Sequence, residues 1–264
     1  MHVHDLICFS ATAEARDGNP ALVIEGGTRD GAARQAFARA RGATCVFIDD
    51  DADAVTRVDY FYPHMRSPLC LHATLAVAAV LFARPGQAQD AELAVDTALQ
   101  GQRLRLTRAG PDYFVRLARQ SAPAIDIDGV PLAALLDAPG FTPAARPRLA
   151  SVGSPKLLVQ VADTAALYAL TPDLAAIVGW SRATGVNGLY LWCRRADGAC
   201  EGRNFNHLDP ALEDSATGVA AGALSVALGQ DLVLHQGRAT GRRCLIRTRL
   251  DGDTLLVGGK AVPA

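Results

Sequence analysis

Two stretches of the chain place nucleophilic and acidic side chains directly before a run of small apolar residues. The first holds Cys70, His72 and Thr74 ahead of a continuous apolar segment. The second holds, in order, Asp214, Ser215, Ala216, Thr217 and Gly218. Thiol, imidazole and carboxylate groups are common general acids and bases in enzymes. Both stretches are therefore candidates for moving a proton to and from a substrate.

Each stretch is predicted to begin a buried helix, because segments 73–83 and 216–228 are too continuously apolar for a surface helix. A helix N-terminus offers unpaired backbone N–H groups and a partial positive charge. Two such N-termini facing one site would hold a carboxylate and stabilise the enolate-like anion left after removal of an α-proton. The alternative is a pair of capped core helices without chemistry, because caps of this kind are common.

The rest of the pattern predicts short strands with a few helices between them. Strands are expected at 3–9, 21–24, 44–48, 57–62, 92–96, 102–107 and 113–117, and again at 149–152, 157–161, 186–194, 202–206, 232–235, 244–249 and 254–257. Thr28 is expected to cap a helix to about Arg41, whose apolar face would hold Ala32, Ala33, Ala36, Phe37 and Ala40. Residues 132–136 predict a short helix, and Thr171-Pro172-Asp173 predicts another with the proline at its first position.

Stretch 118–129 has no clear period and contains a proline, which is typical of a linker. The length of 264 residues fits about two domains. We therefore expect an N-terminal half of residues 1–119 and a C-terminal half of residues 120–264, with a last strand that can return to the first half.

Composition excludes several classes of function. The 26 Lys and Arg residues balance 27 Asp and Glu residues, so no basic excess predicts nucleic-acid or anionic-membrane binding. Lys156 and Lys260 are the only lysines, which leaves few candidates for Schiff-base chemistry or a phosphate loop. The six cysteines are scattered without metal-binding spacing, and segment 75–83 is too short to cross a bilayer. These features favour a cytoplasmic protein with reduced thiols and no bound metal.

Four motifs resemble the phenazine-biosynthesis PhzF-like family, which shares the diaminopimelate-epimerase fold. They are Gly18-Asn19-Pro20 before a strand, Phe61-Tyr62-Pro63 leading to the run 70–76, Gly153-Ser154-Pro155 before the strand from Leu157, and Arg203-Asn204-Phe205 followed by the run 213–224. The last is the most specific, because the family reads Glu-Asp-Pro-Ala-Thr-Gly there. Together the motifs cover nearly the whole chain.

The resemblance implies an α+β fold of two similar domains, each a curled, mostly antiparallel sheet around a central helix, with the active site in the cleft between them. It implies an isomerase that needs no cofactor or metal, a small carboxylated substrate and a homodimer. His72 matches the family histidine that orients substrate, Asp214 the aspartate opposite it, and Asn19 a substrate-binding asparagine. The remaining substrate-binding positions are Ala73, Thr74, Ser215, Ala216, Thr217 and Gly218.

The chain departs from the family pattern at its catalytic glutamate. Thr44 occupies that position, and a neutral hydroxyl cannot shuttle a proton as a carboxyl group does. Cys45 beside it is either a substitute base or a thiol packed in a sheet. Leu71 stands where the family usually has glycine. The phenazine-type isomerisation therefore lacks its usual base in this chain.

Cys70 is the leading alternative base, because a helix N-terminus lowers a thiol pKa. By position it resembles the first catalytic cysteine of diaminopimelate epimerase, and Ser215 falls where the second would be. His64, Arg66 and His207 are further candidates for anion-binding groups.

Three interpretations follow from these residues. The first is a cofactor-independent isomerase or epimerase-like enzyme of specialised metabolism, acting on a small carboxylated substrate. The second is an inactive PhzF-like protein that binds a small carboxylate or a protein partner. The third is a cysteine-based amino-acid racemase or dehydratase.

Overall fold

A computed structural model describes residues 1–12, 17–50, 55–206 and 213–264. His207, one of the sequence candidates, lies outside these ranges. The chain divides into two compact units. Unit 1 comprises Met1–Leu117 and Gly258–Ala264, and unit 2 comprises Ala118–Val257. Among the described residues, no helix has the length and apolar character that crossing a membrane requires.

Unit 1 is a curled sheet around one buried helix. Its elements are β1 (His2–Cys8), β2 (Asn19–Glu25), α1 (Gly31–Arg41), β3 (Cys45–Asp50), β4 (Thr56–Phe61), β5 (Arg66–Ser67), α2 (Leu71–Phe82), β6 (Leu93–Thr97), β7 (Arg103–Ala109), β8 (Asp112–Ala118) and the end of β15 (Thr254–Pro263). The strands follow the order β1-β2-β3-β4-β6-β7-β8-β15, and β15 also pairs with β1, so the sheet closes on itself. The β2–β3 and β4–β6 pairs are parallel and the other registered pairs are antiparallel. All twelve residues of α2 are buried, as their continuous apolar sequence predicts.

Unit 2 repeats this scheme. Its elements are α3 (Leu132–Leu135), β9 (Arg148–Ala150), β10 (Lys156–Gln160), α4 (Thr164–Ala169), α5 (Leu174–Thr184), β11 (Leu189–Arg194), β12 (Cys200–Phe205), α6 (Gly218–Leu228), β13 (Leu232–Gln236), β14 (Cys244–Asp251) and the start of β15. Strands β9 to β14 lie in chain order, with β10–β11 and β12–β13 parallel. Helix α6 packs against β9, β10, β13 and β14. The other face carries an apolar cluster to which α3, α4 and α5 contribute. The predicted α+β class is confirmed.

Aspartates cap two helices where the sequence pattern favoured other residues. The N-cap of α1 is Asp30, whose carboxylate accepts from the Ala33 N–H at 2.7 Å, so the predicted Thr28 cap is wrong. Asp173 caps α5 in the same way, which leaves Pro172 before the helix instead of at its first position. In both helices a carboxylate closes the first turn more effectively than the alternative residue.

The predicted apolar face of α1 is also wrong. Ala32, Ala33, Ala36 and Ala40 are exposed and Phe37 is half-buried. Arg34 and Ala38 form the buried face instead. The Arg34 guanidinium donates to Asp49 at 2.6 Å and to Asp59 at 3.1 Å, and it lies 4.7 Å from the Phe47 ring centroid. A paired guanidinium can be buried where an unpaired one cannot.

Candidate active site

In unit 1 the N-terminus of α2 brings three predicted site residues into contact. Cys70 is the N-cap residue, with extended backbone (φ −144°), and its Sγ lies 3.4 Å from Nδ1 of His72. The Thr74 hydroxyl donates to the Cys70 carbonyl at 2.8 Å and is bonded to the Tyr60 hydroxyl at 2.7 Å. The Ala73 N–H belongs to the same first turn. All these side chains are buried.

The environment of Cys70 favours a thiolate. Burial raises the pKa of the Cys70 thiol, but the positive charge of His72 and hydrogen bonds from His72 and Tyr62 outweigh burial. The Ala73 N–H also contributes, and the pKa falls below that of an ordinary cysteine. The pair can therefore exist as thiolate and imidazolium, the form in which a thiol acts as a base.

Thr44 and Cys45, which the resemblance aligns with the family's glutamate, lie in a different setting. Thr44 is half-buried just before β3, and its carbonyl accepts from the Leu22 N–H at 2.9 Å. Cys45 lies in an apolar cluster with Leu22, Ala38 and Phe61. Burial raises the pKa of Cys45 to about 11. This surrounding favours a core role for Cys45 over a catalytic one.

Three other predicted binding residues of unit 1 have contacts in the sheet and the loop before α2. Asn19 begins β2 and is paired in register with Cys8. Arg66 donates two hydrogen bonds to Asp59, at 2.8 and 3.0 Å, so its guanidinium is engaged in an ion pair. The exposed His64 ring is stacked on Tyr62.

In unit 2 the predicted residues form the turn before α6. The helix begins at Gly218 with Thr217 as N-cap, two residues later than the sequence pattern indicates. The Asp214 carboxylate accepts from the Thr217 hydroxyl and, at 3.4 Å, from the Ala216 N–H. The Ser215 hydroxyl is bonded to that of Thr240 at 2.7 Å. Asp214 therefore holds the turn that precedes the helix. The N-cap is Thr217, three residues further along the chain.

A buried polar layer lies between this turn and the sheet. Gln236 on β13 donates to the Asp214 carbonyl at 2.7 Å and to the Thr217 hydroxyl at 3.2 Å. Its side-chain oxygen accepts from the Tyr190 hydroxyl at 3.1 Å and from the Thr217 N–H at 3.3 Å. The glutamine thus fixes the start of α6 against β11 and β13. Neither Tyr190 nor Gln236 was a sequence candidate.

Lys156 and Asn204 are two further buried polar residues that sequence reasoning missed. Lys156 is 1% exposed and donates to the Asn187 carbonyl at 2.6 Å. Burial lowers its pKa to about 7, although Asp214 acts in the opposite direction. The available signal was the charge itself, because one of only two lysines stands at the start of an apolar strand.

The described residues contain no cluster of three or more histidine, cysteine or acidic side chains that could hold a metal ion. A surface groove of about 700 Å³ in unit 2 is lined by Arg119, Arg146 and Arg148 among others, and it holds none of the candidate residues. Its location, away from the buried polar layer, makes it a weak candidate for the reaction site.

Comparisons with known proteins agree with the fold. The phenazine biosynthesis-like protein family matches residues 9–264. The uncharacterized isomerase YddE of Escherichia coli K12 is 28% identical over 257 residues, covering 89% of this chain and 86% of the relative. A Bacillus anthracis phenazine biosynthesis protein of the PhzF family has a TM-score of 0.81 at 19% identity, covering 100% of this chain and 98% of that one. A hydroxyproline epimerase from Agrobacterium vitis has a TM-score of 0.61 at 12% identity, covering 99% of this chain and 90% of its own, and shows the fold alone.

The family match extends over nearly the whole chain, and the fold of both units agrees with it. The resemblance first indicated by the motifs around Cys70 and Asp214 is thereby confirmed. The chain belongs to the phenazine biosynthesis-like protein family and, with the relatives it matches, to the isomerase class of enzymes.

Proposed function

We propose that this protein is a cofactor-independent isomerase that removes a proton from a small carboxylated substrate and returns it. The observation that carries the proposal is the buried contact between Cys70 and His72 at the N-terminus of α2. A thiol whose pKa is lowered beside a histidine ionises more readily than an ordinary thiol, and the thiolate is the form that can abstract a proton.

The proposed step conserves atoms and charge. The substrate C–H bond breaks, its proton forms an S–H bond on Cys70, and the electron pair spreads from carbon into the carboxylate. The partial positive charge at the N-terminus of α2, where Ala73 and Thr74 lie, favours such an anion. The S–H then returns its proton to the same carbon or to a conjugated one. His72 stays in contact with the sulfur and stabilises its charge.

Unit 2 has binding groups of its own at the turn before α6. The Asp214 carboxylate and the hydroxyls of Ser215 and Thr217 are acceptors and donors suited to polar groups of a small carboxylated molecule. The N–H groups of Ala216 and Gly218 border the N-terminus of α6 and favour negative charge. We also expect a homodimer, which light scattering of the purified protein can test.

The test is incorporation of deuterium from heavy water into a panel of amino acids and cyclohexadiene carboxylates, followed by mass spectrometry. We expect exchange in at least one compound, with a loss of about 10²-fold or more in Cys70→Ser and His72→Asn. Cys45→Ala is the matched control and retains exchange. Loss in Cys45→Ala with retention in Cys70→Ser would assign the base to Cys45 instead.

One observation favours a second candidate, an inactive protein that binds a small carboxylate. Thr44 offers only a neutral hydroxyl at the position of the family's base. If Thr44→Glu creates exchange in a protein that otherwise shows none, the binding function is supported. Deuterium entering both enantiomers of one amino acid would instead indicate a racemase.

A further inference from the structure

Three polar residues of unit 2 meet at one end of its sheet, although they are distant in sequence. Lys156 is the first residue of β10, and Asn187 lies two residues before β11. These two strands are parallel, with Leu157 opposite Leu189. Asn204 is the penultimate residue of β12, which runs antiparallel to β11. The start of β10, the start of β11 and the end of β12 therefore lie at the same end of the sheet.

Alternation along the strands decides which face these residues occupy. Leu157, Leu189 and Phe205 belong to the apolar cluster on the face of α3, α4 and α5. The neighbouring side chains of Lys156 and Asn204 consequently point to the opposite face, which α6 covers. This is the face on which the polar layer meets the start of α6.

Part of the hydrogen-bonding capacity at this end of the sheet is not used within the described residues. Asn204 is fully buried, and neither its side-chain oxygen nor its nitrogen has a hydrogen-bond partner. The side-chain oxygen of Asn187 is buried and unpartnered as well, while its nitrogen donates to Ser154. Folded proteins rarely leave buried amides unsatisfied, so an unpartnered pair beside a buried ammonium indicates a site for a polar ligand.

The charges around Lys156 are few. Helix α6 contains no titratable residue, and Tyr190 on β11 has a pKa raised well above its usual value by burial. Asp214 is the acidic group that acts on Lys156. An anion bound beside the ammonium would add a second negative charge and stabilise the protonated form.

We propose that Lys156 and Asn204 form a buried subsite on the α6 face of unit 2 that binds a carboxylate with a hydrogen-bond donor beside it. The Lys156 ammonium and the Asn204 amide nitrogen donate to the two carboxylate oxygens. The unpartnered oxygens of Asn204 and Asn187 accept from the neighbouring hydroxyl or ammonium group. The inference rests on the proposed function in one respect, that it takes the ligand to be a small carboxylated molecule.

The low lysine content makes a direct test practical. Protein labelled with ¹³C and ¹⁵N in lysine has two side-chain signals, and Lys260→Arg assigns them. The probes are glycolate, which has a hydroxyl beside its carboxylate, and acetate, which does not, with chloride at equal ionic strength as reference. We expect glycolate to raise the titration midpoint of Lys156 by at least about half a unit, more than acetate does, and to leave Lys260 unchanged. No displacement by either carboxylate, or an equal one at Lys260, overturns the proposal.

The variant Asn204→Leu distinguishes two explanations of the unpartnered amide, a site for a ligand and a site for an ordered water. It should abolish the response of Lys156 to glycolate while the thermal midpoint stays the same or rises, because no internal partner is lost. A full glycolate response in Asn204→Leu contradicts the proposal. Deuterium exchange is the independent readout. If deuterium exchange occurs but glycolate does not shift the titration midpoint of Lys156, the subsite is contradicted and the isomerase is not. If glycolate shifts that midpoint but no deuterium exchange occurs, the isomerase is contradicted and the subsite is not.

Discussion

Residues of one chemical type behave differently in this protein because their neighbours differ. Cys70, Cys45 and Cys193 are all buried thiols. Burial raises the pKa of Cys45 and of Cys193 to about 11. Cys70 alone of these three has a basic ring within contact distance and a pKa below the usual value. The chemistry at this position therefore comes from the pairing with His72.

The thiolate of Cys70 can be detected without a substrate. The ultraviolet thiolate absorbance of the native protein minus that of Cys70→Ser should show a transition below the pKa of an ordinary cysteine. In His72→Asn the same transition should move up by about one unit or more, because the positive charge is lost. An unchanged transition in His72→Asn would show that the ring does not set the pKa of the thiol.

At the scale of elements, the packing of α6 on the sheet is stabilised by hydrogen bonds from buried side-chain amides. Gln236 satisfies groups on β11 and on the turn before α6, whereas Asn204 on β12 satisfies none within the described residues. The two amides lie in the same buried layer and differ in whether they have hydrogen-bond partners. Replacing each of them with leucine therefore gives a matched pair of variants.

We expect Gln236→Leu to lower the free energy of unfolding by about 1–3 kcal/mol, because the buried Tyr190 hydroxyl and the Thr217 N–H lose the acceptor that Gln236 provides. Asn204→Leu should be neutral or stabilising, because it replaces an unsatisfied amide with an apolar group of similar size. Urea unfolding of both variants measures the difference. Equal destabilisation by the two changes would contradict the assignment of partners.

The attachment of α1 to the sheet of unit 1 offers a second test at this scale. Arg34→Met removes a guanidinium that is 2% exposed, so Asp49 loses its 2.6 Å hydrogen bond and Asp59 is left with its hydrogen bonds from Arg66. We expect a loss of about 3 kcal/mol in unfolding free energy. Arg103→Met is the control, because the Arg103 pair with Asp96 is on the surface, and it should change the unfolding midpoint little. A small effect of Arg34→Met would show that apolar packing alone holds α1.

At the scale of the whole molecule, Lys156 links folding to pH. Its folded pKa of about 7 is below the ordinary lysine value of 10.5, so the unfolded chain binds more protons between those values. Stability must therefore rise with pH across that window, by up to about 1.4 kcal/mol per unit, and fall as pH drops through 7. Denaturant unfolding of the native protein from pH 6 to about 9 should show this rise. The profile of Lys156→Met should lack it, and parallel profiles would refute a neutral buried lysine.

The sequence by itself determined the features that depend on local pattern. A continuous apolar run as long as that of α2 favours a buried helix over a strand, and α2 begins where its Cys-Leu-His-Ala-Thr motif stands. The motifs around Cys70 and Asp214 also identified the family and the fold, since their order extends over the whole chain. Local pattern did not determine the N-cap of α1. Thr28 and Asp30 both have side chains suited to an N-cap, and the path of the chain selects Asp30.

Only the tertiary structure decided which polar residues are paired. Arg34 has its partners on β3 and β4, and Lys156 has its carbonyl acceptor before β11, so neither pairing can be read from nearby residues. The unpartnered amide of Asn204 is likewise a property of the folded layer, because the sequence of β12 does not show which of its polar side chains find partners. Local sequence fixes backbone propensity, whereas desolvation and pairing depend on groups that distant strands bring together.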